Sequence, residues 1–462
     1  MNSIDQSPDL GRHNARLFIW FRCLFNCRFY YPVYTIMFLD FGLTMAQFAL
    51  LNALWAGVIV LLEVPSGALA DHLGRRNLVI GSAVLMVLEM TVLLLAPVCG
   101  PDATPGQLML LWWLFVLNRV LSGASEAAAS GADEALAYDA FPEAERRRAW
   151  PKVLADLTRA MAIGFILATA LGALVYDAGL VNRMLGWIGI EAGITSEQSL
   201  KFPIWLNLIT AIGALLVALR MVECHRGEPG QPAARGLRQA LVNTMEAGRW
   251  VLRSPAPLVL ILLGVLFDSM IRLFYTVAPN YYRLLDIREG WFGVIGAGAA
   301  LLGMATAGIM ERMARRCGAG LNFRVVGLMV GIGLVSMMMP VGWWSLLPLV
   351  PLLLSMRFLQ YFLSHYLNQV TDSSRRATVL SFKGLSMNLA YGLVTLLFGV
   401  QAAVFEGRFR AEGMAETEVV QAAFAESIFW WPAWYALTIL VFWAFLRWRM
   451  RGTLDQLVTR PG

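Results

Sequence analysis

Charge is what this sequence is short of. Only 15% of its 462 residues are Asp, Glu, Lys or Arg, where a soluble domain carries about 25%. So few charges cannot cover a water-facing surface, and 58% of the residues are hydrophobic. The chain reads as a polytopic membrane protein. Histidine is scarce too: His13, His72, His225 and His365 are scattered, with no HxxxH or HExxH pattern to hold a catalytic metal. No acid stands near His365 in sequence and no nucleophile elbow occurs, so an enzyme is not expected. The five cysteines, Cys23, Cys27, Cys99, Cys224 and Cys317, show no repeated metal-type spacing. No metal and no cofactor are expected. Cys23 and Cys27, four apart in an apolar run, would share a helix face, and the cysteines are read as small buried packing residues.

A net charge of +6 and a pI near 9.2 would suggest nucleic acid in a soluble protein. Here the cations fall in short loops, so they are read as orienting the chain in a membrane. The first sixteen residues are polar, and the apolar run from Leu17 is too long for a signal segment. A spanning helix needs about 20 mostly apolar residues. Twelve such windows begin near Leu17, Thr44, Leu78, Leu108, Val153, Pro203, Pro255, Trp291, Phe323, Ser345, Thr378 and Ile428. With the N-terminus inside, inner segments hold about 25 Lys and Arg and outer ones about 6. The expectation is an all-α integral membrane protein with both termini cytoplasmic, in the cell's inner membrane.

The chain also resembles itself. RRAWPKVLADLTRAMAIG from Arg147 parallels RRATVLSFKGLSMNLAYG from Arg375, with Gly164 and Gly392 in register. GALADHLGRR from Gly67 has a worn counterpart in GIMERMARRC from Gly308. A repeat of about half the chain suggests two pseudo-symmetric six-helix bundles. The expected boundaries are 1–222 and 255–462, joined by a cytoplasmic linker at 223–254. Within the linker, Leu237, Ala240, Leu241 and Met245 recur at helical spacing and suggest an amphipathic helix on the inner membrane surface.

One charged knot interrupts the apolar runs, EVPSGALADHLGRR at residues 63–76. Gly67 would let two helices approach, and Gly74 can take the positive φ of a tight reversal. Arg75 and Arg76 fit the inner face, but topology does not explain Asp71. This stretch is similar to the signature loop of the major facilitator superfamily. A second match lies in the fourth span, where Arg119 and Gly123 fit the superfamily's Arg-x-x-x-Gly pattern, in the run that leads to Glu126. The resemblance implies the twelve-helix fold. It also implies a gating role for Asp71, tied to the eleventh helix, and a central cavity lined by helices one, four, seven and ten. Exchangers of the superfamily often carry Gly-Pro-x-x-Gly-Gly in helix five. Here Ala168-Thr-Ala-Leu-Gly172-Ala173 lacks the proline and two of the glycines, which argues against a proton-antiport assignment.

Ionisable residues within spans cost about 2.5–3.5 kcal/mol each and commonly mark function. Arg28, Arg119, Asp268, Arg272 and Arg357 fall on the four spans the resemblance places around the cavity. Asp268, Arg272 and Tyr275 form one stripe; Arg357, Tyr361, Ser364 and Asn368 form another; Arg119, Ser122 and Glu126 a third. Cys27, Tyr30, Tyr31 and Tyr34 would give the first span an aromatic face. Glu89, in the third span, is the other deep acid. Two readings stand together: structural pairs holding the halves in register, or a cationic cavity with Asp268 as the switchable group. Guanidinium forks suit carboxylate or phosphate, so the second reading points to an anionic or zwitterionic solute.

The expected activity is secondary transport of a small organic solute by alternating access, with protons or another coupling ion, in a lipid bilayer and by a monomer. A multidrug efflux pump and a non-transporting sensor are the alternatives. The sensor would use Asp177 to Lys201 or Glu406 to Glu426 as a partner surface. The acidic run ADEALAYDAFP, 132–142, precedes Arg146, Arg147 and Arg148 and suggests an inner-face charge network.

Overall fold

The computed structural model describes residues 8–223, 233–371, 376–449 and 454–459, and those residues are helical throughout apart from turns and short connections. They form two compact units. The first contains 1–43, 54–241 and 288–297; the second contains 44–53, 242–287 and 298–462.

The N-terminal part of the chain carries α1 (Pro8–Asn26), a 3-10 turn (Tyr31–Val33), α2 (Tyr34–Asp40), α3 (Met45–Leu73) and α4 (Arg75–Leu95). There follow α5 (Pro105–Ala129), α6 (Ala132–Asp139), α7 (Glu143–Tyr176), α8 (Ala178–Trp187), α9 (Ser196–Leu200) and α10 (Phe202–Arg220). In the first unit α4 packs on α5 and α10, and α1 packs on α7 and α10. Phe18, Phe21, Phe25, Phe38, Phe41 and Phe115 are fully buried and form its aromatic core. Phe115 meets Phe38 and Phe41 edge to face, with ring centres 4.7 and 5.3 Å apart.

The rest comprises α11 (Ala233–Arg253), α12 (Pro255–Leu284), α13 (Phe292–Ala305), α14 (Ala307–Arg316) and α15 (Ala319–Met337). Then come α16 (Leu346–Gln369), α17 (Arg376–Ala411), α18 (Glu416–Phe429), α19 (Trp431–Arg449) and α20 (Leu454–Thr459). In the second unit α15 packs on α16, and α12 packs on α16 and α17. The linker residues 224–232 lie outside the described residues, but α11 follows them, and it exposes Leu241, Met245 and Leu252.

Local chemistry sets many of the helix ends. Thr104 caps α5 in a reciprocal box with Gln107, and Pro105 occupies the first turn, where no amide is needed. Gly74 has φ of 89°, a conformation that a side chain would strain, and it begins α4. Asp177 accepts from the Leu180 amide at 2.9 Å and starts α8. The segment from Asp177 to Lys201, expected as an outer connection, thus holds two short helices.

Among the described residues ten helices are long and apolar enough to cross a membrane, and eleven if α13 and α14, bent by 42°, count as one. The twelfth expected span is the first, and it departs from expectation. It is not one helix: α1 stops at Asn26 and α2 starts at Tyr34. Pro32 has no amide and would clash with the Arg28 carbonyl if the helix ran on. The expected aromatic face from Cys27 to Tyr34 is therefore replaced by a folded cluster, with Tyr30, Tyr31 and Tyr34 ring centres 5.4 to 6.3 Å apart.

Candidate functional site

The break in the first span positions the first cluster of charges. Backbone released inside a membrane protein must find other partners. The Phe29 amide donates to Asn207 Oδ1 at 2.8 Å. The Arg28 carbonyl accepts from the Tyr31 amide at 3.1 Å. The Phe29 carbonyl lies against Gly172 of α7, where any β-carbon would overlap it. Gly172 is the one glycine of the exchanger pattern that this chain keeps, and here it makes room for the break.

Arg28 leaves the break and is 4% exposed. Its Nη1 lies 3.4 Å from Glu89 Oε2, on α4. Arg119 on α5 approaches the other carboxylate oxygen, at 3.8 Å. The same guanidinium donates to Tyr34 Oη at 2.7 Å and, through Nε, to Asn118 Oδ1 at 2.8 Å. Asn118 in turn donates to the Glu89 carbonyl at 3.0 Å. Aromatic faces complete the lining: Phe25 beside Arg28 and Phe38 beside Arg119, each 5.3 Å from the guanidinium carbon. Glu89 is fully buried, so three side chains share one dry cluster. Glu126 is half-buried two turns beyond Arg119 on the same stripe of α5 and makes no ion pair among the described residues. Tyr31, on the 3-10 turn, is 49% exposed. Gly123 packs α5 onto α3, since a β-carbon there would meet Val58 at 2.8 Å.

The second cluster lies in the second unit. Asp268 on α12 is fully buried, and its Oδ2 pairs with Arg272 at 2.6 Å, one turn on. Arg272 donates to Asn388 Oδ1 at 2.8 Å and stacks over Tyr391 at 5.0 Å, both on α17. Gln360 of α16 donates to Asp268 Oδ1 at 3.4 Å. Lys383 of α17 is near enough to Asp268 to interact with it electrostatically. Arg357 is exposed, three residues before Gln360, and no carboxylate lies within ion-pair distance of it among the described residues. Its stem runs past Gly303 of α13. Tyr275, 39% exposed, donates to the Leu353 carbonyl and faces the field of Arg357. Tyr361 stacks on His365, with ring centres 6.3 Å apart.

A third set closes one end of the first unit. Arg76 donates through Nε to the Met221 carbonyl at 2.6 Å and through Nη2 to the Leu219 carbonyl at 2.9 Å, at the C-terminal end of α10. Glu223 accepts from the Arg76 amide at 2.8 Å and covers the positive end of α4. Arg75 pairs with Asp139, which Arg146 also reaches at 3.6 Å. Arg22 pairs with Asp133 at 2.5 Å. The acidic run 132–142 is thus mostly a helix, α6, holding the arginines of three other segments. Gly67, Asp71 and Arg147 lie outside the residues whose side chains are described.

The sequence profile of the Major Facilitator Superfamily matches residues 18–395. This chain belongs to that superfamily. Among solved structures it is similar to the nucleoside transporter NupG, with a TM-score of 0.67, 11% identity, and 96% of this chain and 100% of that one covered. A bacterial homologue of the human lysosomal transporter Spinster, solved inward-facing and unoccupied, gives 0.67, 17%, and 98% of each chain. A D-xylose-proton symporter gives 0.57, 14%, and 94% and 96%. At these identities the likeness is one of fold. A comparison with curated protein sequences finds no match.

For this Major Facilitator Superfamily member, two of the five charges fall in the first unit and three in the second. Arg28 and Arg119 meet Glu89 in the first; Asp268 and Arg272 meet in the second, where Arg357 stands about one turn from Gln360, which donates to Asp268. Arg28 does not face open space. The expected stripe of Asp268, Arg272 and Tyr275 does share a side of α12, but Tyr275 turns to α16 and Arg272 to α17. Sequence reasoning missed Asn118, Asn207, Gln360, Lys383, Asn388 and Tyr391. A lone uncharged amide or tyrosine inside a long apolar run carries no pairing signal in the sequence. Asn118, adjacent to Arg119, was the best available signal.

Proposed function

We propose that the protein is a secondary transporter of the cytoplasmic membrane, with both termini cytoplasmic. It moves a small organic solute, anionic or zwitterionic, by alternating access coupled to protons. Superfamily membership supports transport. The observation that carries the solute class is Arg357: an exposed guanidinium with no carboxylate within ion-pair distance among the described residues, near Tyr275 and one turn from Gln360. Such a fork suits a carboxylate or phosphate. Tyr275 and Tyr361 flank it as candidate contacts. Asp268, held between Arg272 and Gln360, is the coupling candidate, because protonation would release both partners. Glu89, closed in by two arginines, is the weaker one. Arg75, Arg76 and Gly74 act at the gate on this reading, with Asp71.

A lipophilic-cation efflux pump is the second reading. Its support is Glu126, an acid without an ion pair among the described residues, and the half-exposed Tyr31 in the tyrosine cluster. Proton flux in liposomes with an internal pH dye separates the two. Organic anions are expected to evoke flux in the wild type and none in Asp268→Asn. Flux evoked by lipophilic cations instead would move the function to efflux. Anion-evoked flux that survives in Asp268→Asn would remove Asp268 from coupling.

A further inference from the structure

Cys23 and Cys27 stand where the helix of the first span gives out. Cys23 is on α1, and Cys27 is the first residue beyond its end. The Cys27 amide still donates to the Cys23 carbonyl at 2.9 Å, so the turn between them is helical. Residues four apart on such a turn leave on the same side. Both thiols turn to α7, where a β-carbon on Gly164 would lie 2.9 Å from each Sγ. The two sulfurs are therefore no further apart than twice that distance, and glycine supplies the space they occupy. Both cysteines are free, and neither is fully buried. Cys23 Sγ donates to the Ala160 carbonyl at 3.5 Å and is also within hydrogen-bonding reach of the Cys27 thiol.

The donor set decides the chemistry. Among the described residues no third His, Cys, Asp or Glu joins a metal-binding group. Structural zinc takes four ligands, and calcium or magnesium takes oxygen. Thiolates select soft ions. We propose that Cys23 and Cys27 form a dithiolate site for a soft thiophilic cation, of the kind satisfied by two sulfurs, such as mercury(II) or silver(I). With Hg2+, two S–H bonds break, two S–Hg bonds form, and two protons pass to solvent without electron transfer. Cys23 gives up its contact with the Ala160 carbonyl. The bound ion ties Cys27, already outside the helix, back to α1 beside Arg28.

The test uses full-length protein with Cys99, Cys224 and Cys317 replaced by serine, titrated with Hg2+ and read by native mass spectrometry. The expected result is one mercury per chain with two protons lost. Retention against a competing monothiol should exceed that of the added Cys23→Ser or Cys27→Ser change by about 100-fold, because the second sulfur acts at high effective concentration. Dibromobimane, fluorescent only when both arms are alkylated, should light up the pair, and prior Hg2+ should block it. Equal retention in the single-thiol variants, or a dark bimane reaction, overturns the proposal. If those variants aggregate, Gly164→Ala takes their place, since its β-carbon would crowd both sulfurs. It should weaken retention at least about 10-fold, and unchanged retention there also overturns the proposal.

Discussion

The two units solve the same problem differently. Each carries arginines within segments that are otherwise apolar, and each supplies a buried acid against them. In the first unit, Arg28 and Arg119 close on Glu89, and all three side chains are at most 4% exposed. Glu126 stands nearby, so the cations and acids of that region are equal in number. In the second unit Asp268 is buried, but its partner Arg272 is 27% exposed. Arg357 and Lys383 add two further cations, with no second acid within ion-pair distance of either among the described residues. The first cluster is closed, and the second is left open with a surplus of positive charge. On the proposed reading, the closed cluster holds the fold and the open one is where a solute binds.

Removing the acid from each unit should break this comparison most strongly. Glu89→Gln leaves two buried guanidiniums without a counter-ion, which costs about 3–5 kcal/mol for a buried pair. A large fall in thermal midpoint, or loss of monodisperse protein, is the expected result. Asp268→Asn should cost clearly less, because Arg272 is only partly buried and keeps its bond to Asn388. Equal losses in the two variants would erase the distinction.

The break in the first span is the next largest effect. Gly172→Ala sets a β-carbon against the Phe29 carbonyl and should cost about 1–3 kcal/mol by overpacking. Asn207→Leu removes the acceptor of the Phe29 amide, and an orphaned buried donor costs about 1–3 kcal/mol. Both are read as thermal midpoints in detergent. An unchanged midpoint in either variant would mean that the break does not depend on that contact.

The break also shows what the sequence could and could not tell. Apolar windows placed most of the spans from the second onward to within a few residues, because long hydrocarbon runs leave few other structures, but α7 begins well before its window, at Glu143. Pro32 was in plain view in the first span, yet hydropathy has no term for a missing amide. Arg28 could be recognised as costly, but not its union with Glu89. The two are 61 residues apart, and their meeting depends on how α4 packs. Gly74 was legible because positive φ is a local property. Gly172 was not, since the reason for it is a carbonyl 143 residues away in sequence. The amides Asn118, Asn207, Gln360 and Asn388 were invisible for a related reason: uncharged side chains draw notice only once a charged partner is placed beside them.

Arg357→Gln should have the smallest effect on stability, within about 0.5 kcal/mol as for an exposed substitution that breaks no pair. That makes it the most direct probe of the open cluster. The decisive measurement is ligand-induced thermal stabilisation of purified protein against a panel of organic anions and a panel of lipophilic cations, in wild type and Arg357→Gln. At least one anion should stabilise the wild type, and the variant should lose that response while keeping its own midpoint. Stabilisation by lipophilic cations alone, or an anion response that persists without Arg357, would contradict the assignment of the open cluster to solute recognition.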